Sequence, residues 1–196
     1  MTDRRSLRKS LRAARGGLSP LERRHAAERI AALVAKTLWL KPGIRVALYA
    51  ALPEEIATSP LIALAARRRA EIFLPRIEND RARRMTFAPP GPHRRYNRYG
   101  IPEPDTTERI APQALQIVFV PLVGFDARGN RLGMGAGFYD RALAFRRHRR
   151  HWFGPRLIGI AHSCQQIEAL DPLPSDIPLD AVVTEREILV FRGENR

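Results

Sequence analysis

The stretch Gly129–Arg141, GNRLGMGAGFYDR, sets glycines on alternate positions, Gly133, Gly135 and Gly137, with Arg131 ahead of them and Tyr139-Asp140 behind. Each glycine gives up backbone entropy on folding, so three of them are costly for a chain that only turns a corner. Bare backbone can approach an anion closely and offer it N–H donors, and glycine reaches φ > 0 without a Cβ penalty. Arg131 adds a planar donor fork, and Asp140 adds a hard oxygen ligand suited to Mg²⁺. Together these are the parts of a nucleoside triphosphate site. The pattern is not a Walker loop, because it lacks the Gly-Lys-Ser/Thr ending, and it is not the G-x-G-x-x-G dinucleotide fingerprint. The alternative reading of the glycines is a tight βα turn packed against a neighbour.

Elements must hold this loop in place, and the pattern around it supplies them. LQIVFVPLVGF, Leu115–Phe125, is almost all apolar, as a central strand buried on both faces requires. FYDRALAFRRHRRH after the glycines has helical spacing with a basic face. Upstream, a helical pattern runs from Leu7 to about Leu40, broken at GGLSP, where Ser19 can cap a helix that opens with Pro20 and Glu22. IRVALYA (44–50) reads as a strand, LIALAARRRA as a helix, and Glu71–Leu74 as a second strand ending at Pro75. RLIGIAHS, DAVVTE and EILVF are further strands, with QQIEAL as a helical turn. Residues 77–113, crowded with proline, glycine and arginine, have no clear element, and such a long connection is more often functional than idle. Alternating strands and helices predict an α/β fold, a three-layer αβα sandwich with a mostly parallel central sheet, in one domain spanning residues 1–196.

The chain carries 34 Lys and Arg against 20 Asp and Glu, a formal charge of +14, and only three of the basic residues are lysine. An anionic partner follows from that balance, but charge alone does not choose among phosphate, polyanionic metabolite, nucleic acid and acidic membrane. Genome composition is the alternative source of the surface arginines. No apolar run approaches the roughly twenty residues of a bilayer span, and no secretory leader is visible, so the expectation is a soluble cytoplasmic protein. Cys164 is the single cysteine, which excludes an internal disulfide or a cysteine-built metal cage.

VPLVGFDARGNRLGMGAGFYDR, Val120–Arg141, resembles the signature of the 5-formyltetrahydrofolate cyclo-ligase, or methenyltetrahydrofolate synthetase, family. RSLR (5–8) with Arg15 resembles that family's N-terminal basic helix, and YAALPEEIATSPLI (49–62) its folate-recognition segment. FLPRI, MTF, YGIPEP, IGIAHSCQQ and DIPLDAVVTE fall in matching order, so the likeness covers almost the whole chain. The resemblance implies ATP- and Mg²⁺-dependent closure of 5-formyltetrahydrofolate to 5,10-methenyltetrahydrofolate with release of ADP and phosphate. A formamide oxygen is a poor leaving group, and phosphorylation by ATP activates it for attack by N10. Such chemistry needs alignment and charge neutralisation more than a protein nucleophile.

By the same resemblance, ATP contacts fall on Arg4, Arg5, Ser6, Leu7 and Arg8 and on Arg131, Leu132, Gly133, Met134, Gly135, Ala136, Gly137, Phe138 and Tyr139. Folate contacts fall on Arg8, Ala50, Glu55 and Met134 to Phe138, with Glu55 rather than its neighbour Glu54 accepting from the pterin N–H groups. Arg131 and Asp140 are the implied catalytic pair, and Asp140 and Asp180 the implied Mg²⁺ ligands. The chain departs from the family pattern at Arg4, where lysine is common, at Ala136, lysine or glycine elsewhere, and at Ser175, often histidine. The expected partner is the small-molecule folate, polyglutamylated forms included, acting on a monomer without nucleic acid or membrane. Two rival readings are a basic RNA-binding module built on ARRRA and RRHRRH, which lacks interleaved aromatics, and another ATP-using enzyme on the same scaffold. His148 and His151 have metal spacing but sit among arginines that oppose a dication. His162 and Cys164 are expected at satisfied core or edge positions, and Trp39 and Trp152 in the core.

Overall fold

The computed structural model describes residues 3–148 and 154–191. Helix α1, Arg4–Gly16, is capped by Asp3, whose carboxylate accepts from the Arg5 and Ser6 amides. Helix α2, Pro20–Ala35, opens on the expected Ser19 cap, with proline in its first turn, and Glu22 reaches back to complete a capping box. It stops five residues short of Leu40. There the Lys36 and Thr37 amides fold back on Leu33 and Val34, and the Thr37 hydroxyl takes the Val34 carbonyl. The rest of the chain comprises β1 (Arg45–Ala47), α3 (Ser59–Arg67), β2 (Glu71–Asn79), β3 (Arg84–Ala88), β4 (Arg94–Tyr96), β5 (Pro102–Pro104), β6 (Ile117–Pro121), β7 (Gly124–Phe125), β8 (Arg131–Leu132), α4 (Phe138–Ala142), β9 (Arg156–Ile160), β10 (Ala181–Val183) and β11 (Ile188–Val190).

Seven strands form the main sheet in the order β11-β10-β9-β6-β1-β2-β3. Pairing is parallel from β10 through β2 and antiparallel at both edges, where β3 and β11 return by hairpins. Strand β6 lies in the interior of the sheet with Ile117, Val118, Phe119 and Val120 all buried, which is why its sequence is an unbroken apolar run. One face carries Val46, Leu48, Phe119, Ile158 and Val183 against α2 and α3 through Ile30, Val34, Leu61 and Leu64. The other carries Ala47, Val118, Val120, Leu157 and Val182 under Phe87, Leu143, Ile177 and Leu179. The expected three-layer α/β arrangement is therefore present. Its second layer, however, is made of the short α4, a 3₁₀ turn over Ala144–His148 and connecting loops rather than long helices.

Three local expectations need correction. Strand β2 runs through Pro75 to Asn79, because its neighbour β1 pairs only as far as Phe73 and one side of β2 beyond it needs no N–H donor. Residues 77–113 are not irregular throughout: they hold the rest of the β2–β3 hairpin and the small β4–β5 sheet. The helical turn placed on QQIEAL is a 3₁₀ turn over Ser163–Gln165. Trp39 is partly buried against the first core cluster, with the Arg156 guanidinium 5.8 Å above its ring. His151 and Trp152 lie outside the described residues.

Candidate active site

The chain visits β1 and then β2 on one side, and returns to place β6 on the other side of β1. The strand order thus reverses between β1 and β6, and in a parallel sheet the crevice at the carboxyl ends of such a pair is where ligands bind. The two segments singled out by the sequence leave these two strands. Tyr49 to Glu55 follow β1, and Leu122 to Tyr139 follow β6.

After β6 the chain is steered by groups that motif reading did not assign. Asp126 is fully buried and accepts from the amides of Arg128, Asn130 and Leu170 at 2.9–3.0 Å and from Asn130 Nδ2 at 2.8 Å. Gly129 closes this turn at φ +82°, with a hypothetical Cβ only 2.9 Å from the Leu179 carbonyl. Gln165, also buried, donates Nε2 to the Leu122 and Val123 carbonyls at 2.8 and 3.0 Å. Its only visible signal was its place in the IGIAHSCQQ string. These bonds aim the short β8, whose Leu132 is buried, so that Gly133 to Gly137 emerge at the sheet edge.

Gly135 and Gly137 have φ of +102° and +72°, conformations that glycine tolerates, whereas Gly133 does not need one. Arg8 of α1 donates Nε to the Gly133 carbonyl at 2.8 Å and lies beside Gly135, its guanidinium carbon 3.7 Å from a Cβ position there. The N-terminal helix and the glycine loop are therefore one assembly. Leu7 and Leu11 hold it through a small core with Val123, Leu132 and Leu170. Arg4 turns away, to Asp176 at 2.9 Å and the Asp171 carbonyl at 3.0 Å, and the side chains of Arg5 and Ser6 are exposed. Met134 is 45% exposed and Ala136 partly buried. Phe138 stacks edge-on against Tyr99 at 6.3 Å.

Arg131 is 4% exposed and paired with Asp140; its Nε donates to the Ile177 carbonyl at 3.3 Å. Asp140 Oδ1 also accepts from the Ile177 amide at 3.2 Å, so this pair braces both ends of the loop. Asp180 faces elsewhere. Both its oxygens accept from Arg146, at 2.9 and 3.0 Å, and Oδ2 also accepts from the Leu157 amide at 2.7 Å. Among the described residues no three His, Cys, Asp or Glu side chains gather as a metal cluster.

The two adjacent glutamates are separated by their partners. Glu54 pairs with the buried Arg15 at 3.0 Å and with Arg12 at 3.5 Å, which holds its carboxyl below the usual range. Among the described residues Glu55 accepts only from the Leu52 amide, at 3.0 Å, and burial raises its pKa above the ordinary carboxylate value. Its charge reaches the phenols of Tyr49 and Tyr139, whose pKa values are raised first by burial and next by Glu55. Ala50, just after β1, is partly exposed. Thus a desolvated carboxylate with no ion pair among the described residues lies within electrostatic reach of Tyr139, at the end of the glycine loop.

Nearby, His162 is buried with Nε2 unpartnered, not satisfied as expected, and burial holds its pKa down to about 4. Cys164 is exposed on the 3₁₀ turn, and desolvation raises its pKa, which disfavours a thiolate nucleophile. An open groove of about 740 Å³ lies away from this edge, lined in part by Arg76, Pro90, Glu108 and Arg109. Both arginines there already donate to backbone carbonyls and pair with Glu78, so their charge is largely committed.

Residues 1–185 match the 5-formyltetrahydrofolate cyclo-ligase family. The 5-formyltetrahydrofolate cyclo-ligase of Haemophilus influenzae is 32% identical over 182 residues, covering 90% of this chain and 94% of the relative. That of Escherichia coli is 36% identical over 147 residues, 73% of this chain and 79% of the relative. The solved Aquifex aeolicus 5,10-methenyltetrahydrofolate synthetase superposes with a TM-score of 0.82 at 30% identity, over 98% of this chain and 95% of the other. The match over residues 1–185, the identity with the two bacterial relatives and the shared fold agree, and the chain belongs to the 5-formyltetrahydrofolate cyclo-ligase family.

Proposed function

We infer that the protein cyclises 5-formyltetrahydrofolate to 5,10-methenyltetrahydrofolate at the expense of ATP. What supports this reading is that the Glu55 segment and the glycine loop leave the adjacent parallel strands β1 and β6 at one sheet edge, with Tyr139 within electrostatic reach of Glu55. This arrangement joins an acceptor fit for a pterin's amino and ring N–H groups to a loop fit for phosphates. The formyl oxygen of a folate held at Glu55 then lies toward the loop, and the protein's task is to align it and shield the activated species from water. Bound ATP supplies the phosphoryl group that turns the formyl oxygen into a leaving group.

Backbone at Gly133, Gly135 and Gly137 presents amides to the phosphates, Arg8 adds charge, and Arg131 keeps the loop and Asp140 in register. The donor set fits Mg²⁺ through one carboxylate. Asp140 Oδ2 accepts no hydrogen bond among the described residues, and Mg²⁺ in phosphoryl-transfer sites takes one or two carboxylates plus phosphate oxygens. Asp180 can join only if Arg146 releases it. The substrate is a small-molecule folate, with the basic surface available to a polyglutamate tail. Mixing the protein with Mg-ATP and 5-formyltetrahydrofolate is expected to raise the near-ultraviolet absorbance of the methenyl product. No ATP-dependent rise would overturn the reading.

A further inference from the structure

We propose that Arg83, at the tip of the β2–β3 hairpin, contacts the nucleotide's phosphates at the Gly137 end of the loop, as Arg8 does at Gly135. This rests on the ATP reading above. The Arg83 Nη1 atom lies 3.5 Å from the position a Cβ would take on Gly137, so the guanidinium stands directly over the last bare backbone unit of the loop. Among the described residues Arg83 makes no ion pair, and its only hydrogen bond is the backbone one that shapes the turn, its amide to the Asp80 carbonyl at 3.1 Å.

Two other arginines of the site are committed. Arg131 is bound to Asp140 and the Ile177 carbonyl, and Arg4 to Asp176. Ala136 leaves the loop itself without a lysine. Arg8 over Gly135 and Arg83 over Gly137 are cations facing successive glycines, with no acid paired to either among the described residues. Such an arrangement is repulsive until an anion lies between them.

The backbone supports the same conclusion independently. Arg83 has φ +50°, a region that disfavours a long side chain and that a hairpin tip normally fills with glycine or asparagine. Strain of this kind persists where surrounding structure imposes it, and it clusters at ligand clamps. Here the tip is held from outside. Asp80 pairs with Arg98 at 2.6 Å and accepts from the Tyr99 hydroxyl at 3.2 Å, and Tyr99 stacks on Phe138, the residue after the glycine loop. One chain of contacts therefore runs from the loop to the hairpin tip that aims Arg83. It also gives the middle segment a role that its irregular sequence did not disclose.

Arg83→Gly separates function from strain, because glycine adopts φ +50° freely. The variant is expected to melt at or above the parent temperature while binding ATP about tenfold or more weakly, the scale of a lost charge-assisted phosphate contact. Adenosine binding should be unchanged. The KM for ATP should rise by the same factor with the folate KM within about twofold, and Arg83→Lys should recover part of the loss. ATP binding by Arg83→Gly within about twofold of a parent that does bind ATP would overturn this inference alone. A parent that binds no ATP would overturn the proposed function and this inference together.

Discussion

Glu54 and Glu55 are chemically the same residue twice, and their fates are decided by what faces them. Arg15, 1% exposed and 39 positions earlier in the chain, claims Glu54, so a pattern read along the sequence could not tell the two apart without the family resemblance. Glu55→Gln should lower kcat/KM for the folate by about ten- to a hundredfold, the worth of one or two hydrogen bonds to a charged acceptor. ATP affinity should be unchanged and the melting temperature no lower, because a carboxylate whose burial outweighs its favourable contacts is removed. Glu54→Gln should do the reverse. It leaves Arg15 buried and poorly paired, and the loss is about 1–2 kcal/mol, discounted because the Glu54 side chain is 40% exposed. Melting assays and steady-state kinetics on both variants check the pair, and equal effects would remove the distinction. His162 gives a pH signature. Its folded-state pKa of about 4 lies below the unfolded value of about 6.5, so the unfolded chain takes up the proton first as pH falls. Stability is complete above pH 6.5 and declines toward pH 4, by up to about 3 kcal/mol. His162→Phe should flatten that part of a melting-temperature profile, and parallel profiles would assign the titration to another group.

At the scale of the element, the glycines of GNRLGMGAG are not equivalent, and this was only half legible in the sequence. Their concentration announced a special backbone, and Gly135 and Gly137 have one. Gly129 looks like part of the same run yet serves packing: its φ is +82°, and a methyl group there meets the Leu179 carbonyl at 2.9 Å and the Phe191 ring at 2.8 Å. Gly133 is neither strained nor crowded, with Arg131 Nη1 at 3.6 Å as the nearest atom to an added Cβ. Gly129→Ala should therefore cost at least about 2 kcal/mol and lower the melting temperature by roughly 4–8 °C. Gly133→Ala should melt like the parent and bind ATP about tenfold more weakly, because a methyl group covers backbone that must meet phosphate. Calorimetric titration with ATP beside thermal melts distinguishes the two, and a Gly133→Ala protein with parental affinity would remove that glycine from the cradle. Capping by Ser19 and Glu22 and the apolar run of β6 were readable because each depends on neighbours in sequence. The passage of β2 through Pro75 was not, because it depends on where the adjacent β1 ends.

For the molecule as a whole, alternation of strands and helices was enough to foresee a mostly parallel sheet, but not its order. The reversal between β1 and β6, which makes the crevice, is a matter of long-range pairing that no local pattern records. The +14 charge was equally ambiguous. The fold narrows it by showing which arginines meet acids and which meet the glycine loop. Arg12, Arg15, Arg95, Arg98, Arg109 and Arg146 are paired with acids, whereas Arg8 and Arg83 face bare backbone. A cationic surface around an anion-binding crevice raises the local concentration of anionic ligands, and the effect weakens as the screening length falls from about 10 Å at 0.1 M salt to about 3 Å at 1 M. Contacts inside the crevice are shorter than either length. Raising salt over that range should therefore increase the KM of ATP and leave kcat nearly constant. It should also increase the KM of a polyglutamylated folate more than that of the monoglutamate, since every added glutamate extends a carboxylate toward the basic surface. Self-repulsion is screened at the same time, so the melting temperature should rise with salt in the absence of ligand. Salt series with the two folates resolve the matter. If both folate KM values rise equally, the surface arginines act on ATP alone and play no part in holding the glutamate tail.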